Sequence, residues 1–570
     1  MNSASPSRPL SLTHWLVILI AVIGFAFDTY ELLLFPLIGG PAVAELLQLP
    51  ANNPLVTEWL GKMLWVTALC GGVFGLLGGW LTDRFGRKTV LAASIALYSL
   101  SPAMAAMSTT IEQFVFFRCA TFVGVCVEFV AAITWLAELF PDMKQREKAL
   151  GWTQAFASIG GLMVTGVNVW ILTHASTLAA LPITEPFNAH ASWRYLLLTG
   201  LLPALPIALL LPFVPESQVW VERRKSGTLR RPRFAELFSP ALRRTTLVTA
   251  GLSACAYAAA FGALQLTPTR IVPGLPDLAE QRKALKPLQD EARALNQQLL
   301  QTNLPAFTGA VATVPALKEL AGKRAKVRQG INAARRSLES DKTADEKKTQ
   351  FKTQLSALTN NLASLDQELT ALTAGKPEAK KAVIDREKTL GQLAANRAKQ
   401  EPADLVVKAR GNQVQLWQEL GGLCGRIALA LLLVTALKRG LLLRLFIGPG
   451  MLLFALTYVD LFQNRPEMFQ WGVALCGFMT VAQFSYMGEF LPKVFPLHLR
   501  GTGGSFATNV GGRMIGTSAA LVTTNVVAPR LSGTTFEQVA TGAAIVGTTV
   551  FVLGFCLSFL LPTPKAESTE

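Results

Sequence analysis

Charged residues are scarce in this chain. Only 16% of its 570 residues are Asp, Glu, Lys or Arg, and 51% are hydrophobic, whereas soluble globular domains usually carry about 25% charged residues. The mean hydropathy is +0.37. This composition excludes most soluble enzyme folds and places the bulk of the chain in a membrane.

The sequence motifs of common catalytic classes are absent. The chain has no G-x-x-x-x-G-K-[ST] phosphate loop, which argues against ATP-driven transport, and neither the H-E-x-x-H zinc motif nor the G-x-S-x-G elbow of hydrolases. No arginine-rich tail or stacked aromatic motif points to nucleic acid. We therefore expect a protein that is not an enzyme, needs no cofactor and binds no DNA or RNA.

Cysteine and histidine are also few. The seven cysteines fall inside apolar runs and show neither a disulfide framework nor metal-ligand spacing. The four histidines lie near the ends of apolar runs or between them. We expect the cysteines to be small core residues, the histidines to be interfacial, and no metal to be bound.

Apolar stretches of about 20 residues, the length that crosses a bilayer as a helix, recur along the chain. No small-x-small cleavage site follows the first of them, which predicts an uncleaved helix rather than a signal peptide. We predict twelve spans, which begin near His14, Leu60, Thr89, Ile111, Lys148, Trp193, Thr245, Gln415, Gly440, Glu467, Gly503 and Thr541.

The distribution of Lys and Arg between these spans predicts the orientation. Alternate connections carry clusters of basic residues, such as Arg84 to Lys88, whereas stretches 39–60 and 172–192 carry none. Because basic residues accumulate in short cytoplasmic loops, both termini are expected in the cytoplasm of a multi-pass plasma (inner) membrane protein.

A long charged segment interrupts the apolar pattern. Between Ile271 and Asn412 lie 24 basic and 16 acidic residues, half of the net charge in a quarter of the chain. Leucines recur at steps of three and four in three successive stretches, which predicts coiled-coil helices. Breaks near Asn303 to Pro305, Ser340 to Asp345 and Gly375 to Pro377 predict antiparallel hairpins on the outer side. A solvated helical spacer and a specific binding surface both remain open, and no partner can be named.

These patterns predict an all-α membrane protein with twelve transmembrane helices in two six-helix halves, and an extracytoplasmic helical coiled-coil insert between spans seven and eight. The expected divisions are a first half (1–214), a cytoplasmic linker (215–244), span seven (245–270), the insert (271–412), spans eight to twelve (413–563) and a cytoplasmic tail (564–570).

The strongest local motif is Gly79-Trp-Leu-Thr-Asp83-Arg84-Phe-Gly86-Arg87-Lys88, at the inner end of the second span. A merely basic loop would need Arg and Lys but neither the Asp nor the glycines. The string resembles the cytoplasmic signature of the major facilitator superfamily, G-x-L-x-D-R-x-G-R-K, at every defining position.

Further motifs resemble the sugar-porter and metabolite:H+ symporter branches of that superfamily. Arg118 lies in span four, Glu138-Leu-Phe-Pro141 with Arg146 closes it, Trp193-Arg194 opens span six, and Pro215-Glu216-Ser217 closes it. Phe495-Pro496 to Arg500 repeats the Phe140-Pro141 to Arg146 element, as expected of a duplicated transporter. Arg146 follows Pro141 one residue later than in the family pattern. The second-half copy of the Asp-containing loop is reduced to Lys438-Arg439-Gly440.

The resemblance implies a cytoplasmic gate that locks or releases one conformation. We assign ten residues to it: Gly79, Asp83, Arg84, Gly86, Arg87, Lys88, Glu138, Arg146, Glu216 and Arg500.

An ionisable residue at the centre of a membrane-spanning helix adds roughly 2.5 to 3.5 kcal/mol to the free energy of insertion. Such residues therefore indicate a function. Asp28 and Glu31 share one face of span one, and Glu128 lies in span four. An acid in the first span commonly takes part in proton coupling in the branches that this chain resembles. We therefore assign Asp28, Glu31 and Glu128 to proton or substrate coupling, and a structural ion pair is the alternative for each of them. Substrate contact and ion pairing both remain open for Arg118, Arg426, Asn509 and Arg513.

Together these features predict a secondary active transporter, a proton symporter of a small organic solute such as an organic acid or a sugar. An uncoupled facilitator of the same fold is the nearest alternative. From another class, a transporter-derived sensor or scaffold would use the coiled-coil insert to bind a partner.

Overall fold

The computed structural model describes residues 12–49, 53–139, 143–175, 177–183, 187–202, 204–226, 234–339, 345–433, 438–496 and 499–562. These residues are helical or lie in short connections, and no β-strand occurs among them. The chain forms two compact units. The first consists of Met1–Arg282 and Asp404–Glu570, and the second of Lys283–Ala403. The predicted all-helical fold is confirmed.

Nine α-helices are described ahead of the second unit. They are α1 (Leu12–Leu46), α2 (Pro54–Phe85), α3 (Arg87–Ala106), α4 (Ile111–Leu139), α5 (Met143–His174), α6 (Ser192–Leu198), α7 (Ala204–Leu210), α8 (Gln218–Lys225) and α9 (Arg243–Gly262). A 3₁₀ turn at Leu264–Leu266 and a π turn at Thr267–Ile271 extend α9.

Local sequence sets both ends of α2. The side chain of Asn53 accepts a hydrogen bond from the Leu55 amide at 2.9 Å, and Pro54 occupies the first turn, where a missing N–H costs nothing. Gly86 ends the helix with φ = 96°, a conformation that favours glycine. Because α3 begins at the next residue, the charged loop between the two helices is held on rigid helix ends.

The second unit is built from helices as well. These are α10 (Ala279–Gln298), α11 (Leu304–Thr313), α12 (Ala316–Glu339), α13 (Asp345–Leu372) and the first part of α14 (Pro377–Leu433). Two of the predicted breaks fall between α12, α13 and α14. The break expected near Asn303 to Pro305 is wrong. There the backbone continues through a π turn, Leu299–Asn303, and the helix ends at Thr313 instead. Pro305 lies in the first turn of α11, where proline is tolerated.

Residues of the predicted heptads form the core of the second unit. On α12 the buried residues include Leu317, Leu320 and Ile331, which pack with Leu365 and Leu369 of α13.

Buried Arg324 lies in the same core and donates to both oxygens of Glu387, at 2.6 and 2.8 Å, and to Asp366. Hydrogen bonds to these carboxylates raise the pKa of the Arg324 guanidinium above its usual value. The charge therefore persists inside the unit, where it ties three helices together.

Six α-helices follow α14. They are α15 (Arg439–Ala455), α16 (Phe462–Asn464), α17 (Phe469–Val494), α18 (Arg500–Ser505), α19 (Ala519–Leu521) and α20 (Thr535–Ser558). An eleven-residue π-helical stretch, Phe506–Gly516, connects α18 towards α19 and is called the 506–516 segment below. A capping box between Thr534 and Glu537 starts α20.

Eight segments of the described chain are long and apolar enough to cross a bilayer. They are His14–Leu46, Pro54–Thr82, Arg87–Ala106, Ile111–Leu136, Ser192–Phe213, Arg243–Gly274, Arg439–Asn464 and Thr535–Ser558. The other four predicted spans coincide with α5, the end of α14, α17 and the stretch 500–530. These are helical in the described structure. In α5 the described apolar stretch, Ile159–His174, is shorter than a full span, and the stretch 500–530 consists of several short helical pieces.

The 506–516 segment packs between α2 and α9, and glycines make this possible. A Cβ at Gly75 of α2 would lie 2.8 Å from Asn509, and Gly511 lies against the backbone of Ala250 in α9. On the other side of α2, α4 packs against α1, α2 and α3. Helices from both ends of the chain therefore meet around one buried region.

Candidate functional site

Asp28 and Arg513 form an ion pair in this buried region. Asp28 lies on α1 and Arg513 on the 506–516 segment, and Arg513 Nη2 is 3.5 Å from Asp28 Oδ2. Both side chains are almost fully buried. The pair therefore joins the first helix of the chain to a segment near its end, across 485 positions of sequence.

Glu128 of α4 lies beside this pair. Its side chain is fully buried, and neither carboxylate oxygen has a hydrogen-bond partner in the described part of the chain. Asp28 and Arg513 are both close enough to act on it electrostatically. Gly24, one turn before Asp28, makes room for this acid, because a Cβ there would overlap Glu128 Oε1. Two acids thus face one arginine.

Three other side chains surround Arg513. Asn509 Oδ1 accepts a hydrogen bond from Arg513 Nη1 at 3.4 Å, and the Phe129 ring lies 5.0 Å from the guanidinium carbon. The Tyr257 hydroxyl of α9 is within hydrogen-bonding reach. Sequence reasoning did not find Tyr257, since an aromatic residue inside an apolar helix gives no signal of its own.

A second buried ion pair lies along the same face of α1. Arg118 Nη1 of α4 is 3.6 Å from Glu31 Oε2, and its guanidinium carbon is 5.2 Å from the Phe35 ring centroid. Gly200 lies close to Glu31 Oε1, and a Cβ at position 200 would overlap that oxygen. The sequence-predicted residues Glu31 and Arg118 are therefore direct partners.

A small cavity of about 10 Å³ lies beside Arg118. Aromatic rings from three helices and two polar side chains line it with this arginine. Its lining includes Phe35, Thr67, Arg118, Phe122, Phe261 and Gln265. The buried Gln265 Oε1 has no hydrogen-bond partner among the described residues. One cation, an amide and aromatic faces thus meet at one cavity, which has room for about one water molecule in this conformation.

Arg426, on α14, belongs to neither of these two ion pairs. It interacts electrostatically with Glu419 of the same helix and with Tyr257. Glu419 is buried, and sequence reasoning missed it. Its position four residues into the eighth predicted span was the available signal.

At the α2–α3 turn, the structure brings four charged residues of the predicted gate together. Arg87 donates from Nε and Nη2 to both oxygens of Glu138, at 2.9 and 2.7 Å. Glu216 Oε1 accepts from the Arg87 and Lys88 amides at the start of α3, at 2.9 and 3.1 Å. Ser217 Oγ lies 2.5 Å from Glu138 Oε2 and joins the two halves of this cluster.

Gly86 completes the cluster, because a Cβ there would overlap Glu216 Oε2. Arg84 does not join it. Its exposed side chain stacks on Trp80 and Phe85, at 5.1 and 5.6 Å. The predicted gate also includes Gly79, Asp83, Arg146 and Arg500, whose surroundings lie outside the described part of the structure.

A further buried cluster lies at the start of α6, where the sequence offered only Trp193-Arg194. Arg194 is fully buried and donates to the carbonyl oxygens of Ala106 and Ser108, at 2.7 and 2.8 Å, and to Glu45 at 3.1 Å. Glu45 also accepts from Trp193 Nε1 at 2.8 Å. These contacts hold the end of α1 to α6 and to the α3–α4 connection.

Comparison with known proteins places this geometry in context. Residues 15–310, just over half of the chain, match the family model described as Major Facilitator Superfamily. A D-xylose-proton symporter of known structure superposes with a TM-score of 0.53 at 14% identity, over 95% of this chain and 97% of that one. The shared fold is a transporter fold.

Curated relatives match over shorter stretches. A niacin transporter of Acinetobacter baylyi is 25% identical over 37% of this chain and 42% of its own length. A 4-hydroxybenzoate transporter of Pseudomonas aeruginosa is 31% identical over 39% of this chain and 45% of its own. An arabinose-proton symporter of Bacillus subtilis is 26% identical over 27% and 32%. The matches span less than half the length of each relative.

Proposed function

The chain belongs to the major facilitator superfamily, and on that premise we propose that it is a proton-coupled secondary transporter. It moves a small organic solute across the membrane by alternating access, with the solute bound between the two halves. The observation that carries this proposal is the buried Asp28–Arg513 pair with Glu128 beside it. Burial of an ion pair between distant parts of the chain costs free energy. A change of charge state during transport would explain why the chain keeps such a pair.

The coupling follows from elementary electrostatics. While Asp28 is ionised, its attraction to Arg513 holds α1 and the 506–516 segment together. A proton on Asp28 removes that attraction and frees the Arg513 guanidinium for an anionic group of the solute. Return of Arg513 to Asp28 expels both ligands, so that proton and solute move together. Glu128 supplies a second carboxylate for the same proton.

An organic acid fits the site better than a sugar. Arg118 lines the cavity and Arg513 pairs with Asp28, and a carboxylate is the natural ligand of a buried arginine. Two of the relatives carry names of carboxylate solutes, niacin and 4-hydroxybenzoate, and one is named for a sugar and a proton. The rings of Phe35, Phe122 and Phe261 beside Arg118 offer flat faces to a planar solute. Glu31 keeps Arg118 neutralised until that solute arrives.

The proposed topology has twelve spans in two halves, with both termini in the cytoplasm of the inner membrane and the coiled-coil insert outside. The gate residues then lie at the cytoplasmic ends of the spans. There Arg87, Glu138 and Glu216 close one side of the transporter, with Asp83, Arg146 and Arg500 as further members.

Uptake of a labelled panel of organic acids and sugars into proteoliposomes tests the proposal. Accumulation of one acid in response to an inward proton gradient is expected. Equal uptake with and without the gradient would support the facilitator instead.

The topology makes its own prediction. In a variant without the native cysteines, a cysteine at Thr349 of α13 should react with an impermeant maleimide added outside whole cells. A cysteine at Ser226, which follows α8, should react only after the cells are opened. The opposite labelling pattern would overturn the orientation and the placement of the insert together.

The second unit is expected to be dispensable for transport. Its core is made from its own helices, so we expect the first unit to fold when Lys283–Ala403 is replaced by a Gly/Ser linker of about 12 residues. Transport within about twofold of the parent, and an unchanged melting temperature for the remaining part, are expected. Loss of transport in a variant that folds and inserts would favour the sensor or scaffold function.

A further inference from the structure

Glu419 of α14 is a buried acid that the transport scheme above does not use. Its side chain is only 8% exposed. Gln418 Nε2 donates to its Oε1 at 3.1 Å, and its Oε2 lies against Gly161 of α5, where a Cβ would overlap it. No ion pair of Glu419 exists among the residues that the structure describes.

Two more polar residues share this face of α14. Asn412 Oδ1 accepts a hydrogen bond from Asn168 of α5 at 2.9 Å, and Gln415 Nε2 donates to the Leu33 carbonyl of α1 at 2.9 Å. Steps of three and four residues place Asn412, Gln415 and Glu419 on one side of the helix. We call this contact, in which these three residues meet α1 and α5, the α14 interface. It joins helices that precede the second unit to the part of α14 that comes after that unit in the sequence.

The charges that face Glu419 are few. On its own helix, Arg426 acts on it electrostatically from seven residues away. The neighbouring positions on α5 and α1, Gly161 and Leu33, carry no charge. On α17, which lies on the other side of α14, Ala474 and Gly477 make the close contacts, and they are uncharged too. The carboxylate therefore has no cation at contact distance to stabilise its ionised form in the described structure.

We propose that Glu419 is a second protonatable coupling group, which carries a proton whenever the α14 interface is closed and releases it when the interface opens. The inference rests on the proposed function and adds a group on the later half of the chain, whereas Asp28, Glu31 and Glu128 all lie on the first half.

The physical reason is the cost of burying a charge. An ionised carboxylate packed on glycine, without a cation, loses its hydration and gains little in return, so the closed interface favours the neutral acid. Separation of α14 from α5 lets water reach the carboxylate, which then ionises. Linkage makes the effect reciprocal, so a proton on Glu419 favours closure and its loss favours opening.

The experiment compares Glu419→Gln with the parent in proteoliposomes that contain the full chain. Solute exchange at equal pH on both sides is measured from pH 6 to pH 9. In the parent, ionised Glu419 hinders closure as the pH rises, so exchange slows. Glutamine copies the neutral acid, so the ratio of the rates at pH 6 and pH 9 should be at least about fivefold smaller in the variant. Glu112→Gln, a matched change at an exposed position of α4, should keep the parent's profile.

The outcomes separate this inference from the proposed function. If the parent accumulates solute with a proton gradient but Glu419→Gln keeps the parent's pH profile, the inference is wrong and the transporter remains a symporter. If the parent ignores the gradient altogether, the coupling proposal and this inference fall together.

A second pair of variants does not depend on Glu419→Gln folding. Gly161→Ala puts a methyl group where the Glu419 carboxylate lies, and should slow exchange at pH 6 at least about fivefold. Gly166→Ala on the same helix meets nothing within 4 Å and should leave the rate unchanged. Equal rates in the two alanine variants would show that closure does not need Glu419 against α5, which overturns the inference.

Discussion

Asp28→Asn is expected to abolish accumulation of solute in response to a proton gradient while exchange at equal pH survives. Asparagine keeps the shape of the side chain but can neither take up a proton nor hold Arg513 by charge. Without that attraction, the 506–516 segment no longer distinguishes the protonated from the deprotonated transporter. Gradient-driven accumulation should fall at least about tenfold, and the exchange rate much less.

Two variants serve as comparisons in the same proteoliposome assay. Glu31→Gln removes an acid on the same face of α1 that pairs with Arg118 instead, so an acidic solute no longer has to displace it from Arg118. Solute binding should become stronger and coupling should be kept. Glu112→Gln, at an exposed position, should behave as the parent. Full accumulation by Asp28→Asn would mean that the coupling group lies elsewhere, and Glu31 and Glu128 would be the next to test.

Arg87→Gln should slow transport more than any other change in the gate. Arg87 is 3% exposed and donates two hydrogen bonds to Glu138, so its loss leaves a partly buried carboxylate without its cation. Removal of one partner from such a pair costs about 3 to 5 kcal/mol. If the equilibrium between the closed and open gate shifts by that free energy towards the open gate, exchange should slow at least about tenfold.

Arg84→Gln is the matched control, since it changes the same residue type in the same loop. Arg84 stacks on exposed rings and contacts none of the four clustered gate residues in the described structure, so its loss should cost less than about twofold in rate. Exchange rates of both variants, corrected for the amount of folded protein by size-exclusion chromatography, decide the matter. Equal rates in the two variants would show that the Arg87–Glu138 contact is not a gate.

The charged residues at the centre could be found from sequence because charge inside an apolar run is conspicuous. Asp28, Glu128, Arg118 and Arg513 were all selected in this way. Their partners could not be found. Asp28 and Arg513 are separated by 485 positions, and Glu31 pairs with Arg118 rather than with the other acids. Which acid meets which arginine depends on how helices pack, and a single sequence does not contain that information.

Glu419 shows a different limit of sequence reasoning. It lies only four residues into predicted span eight, which begins near Gln415, and polar residues surround it. Its position in the sequence therefore does not distinguish a buried acid from one at the membrane surface. Glycine explains why it is buried. Gly161 lets α14 approach α5 closely enough to enclose the carboxylate, and the role of a glycine on one helix becomes visible only when its neighbour is known. The same applies to Gly24 beside Glu128 and to Gly75 beside Asn509.

The second unit gives one success and one failure. The heptad pattern identified the buried leucines of α12 and α13, because spacing alone determines which side of a helix is apolar. The turn expected near Asn303 is wrong, because Asn303 and Pro305 each favour a break in a helix only as a local preference. Asn303 instead donates to Thr389 Oγ1 at 2.7 Å from within a continuous helical stretch, so tertiary contact overrode the local signal.

The most direct test of the central claim is the steady-state accumulation of a transported organic acid in proteoliposomes under an imposed inward proton gradient. The account predicts that the parent protein concentrates the solute inside, that a protonophore abolishes the concentration ratio, and that Asp28→Asn only equalises the concentrations. A parent protein whose solute concentrations also merely equalise, with or without the gradient, would contradict proton coupling.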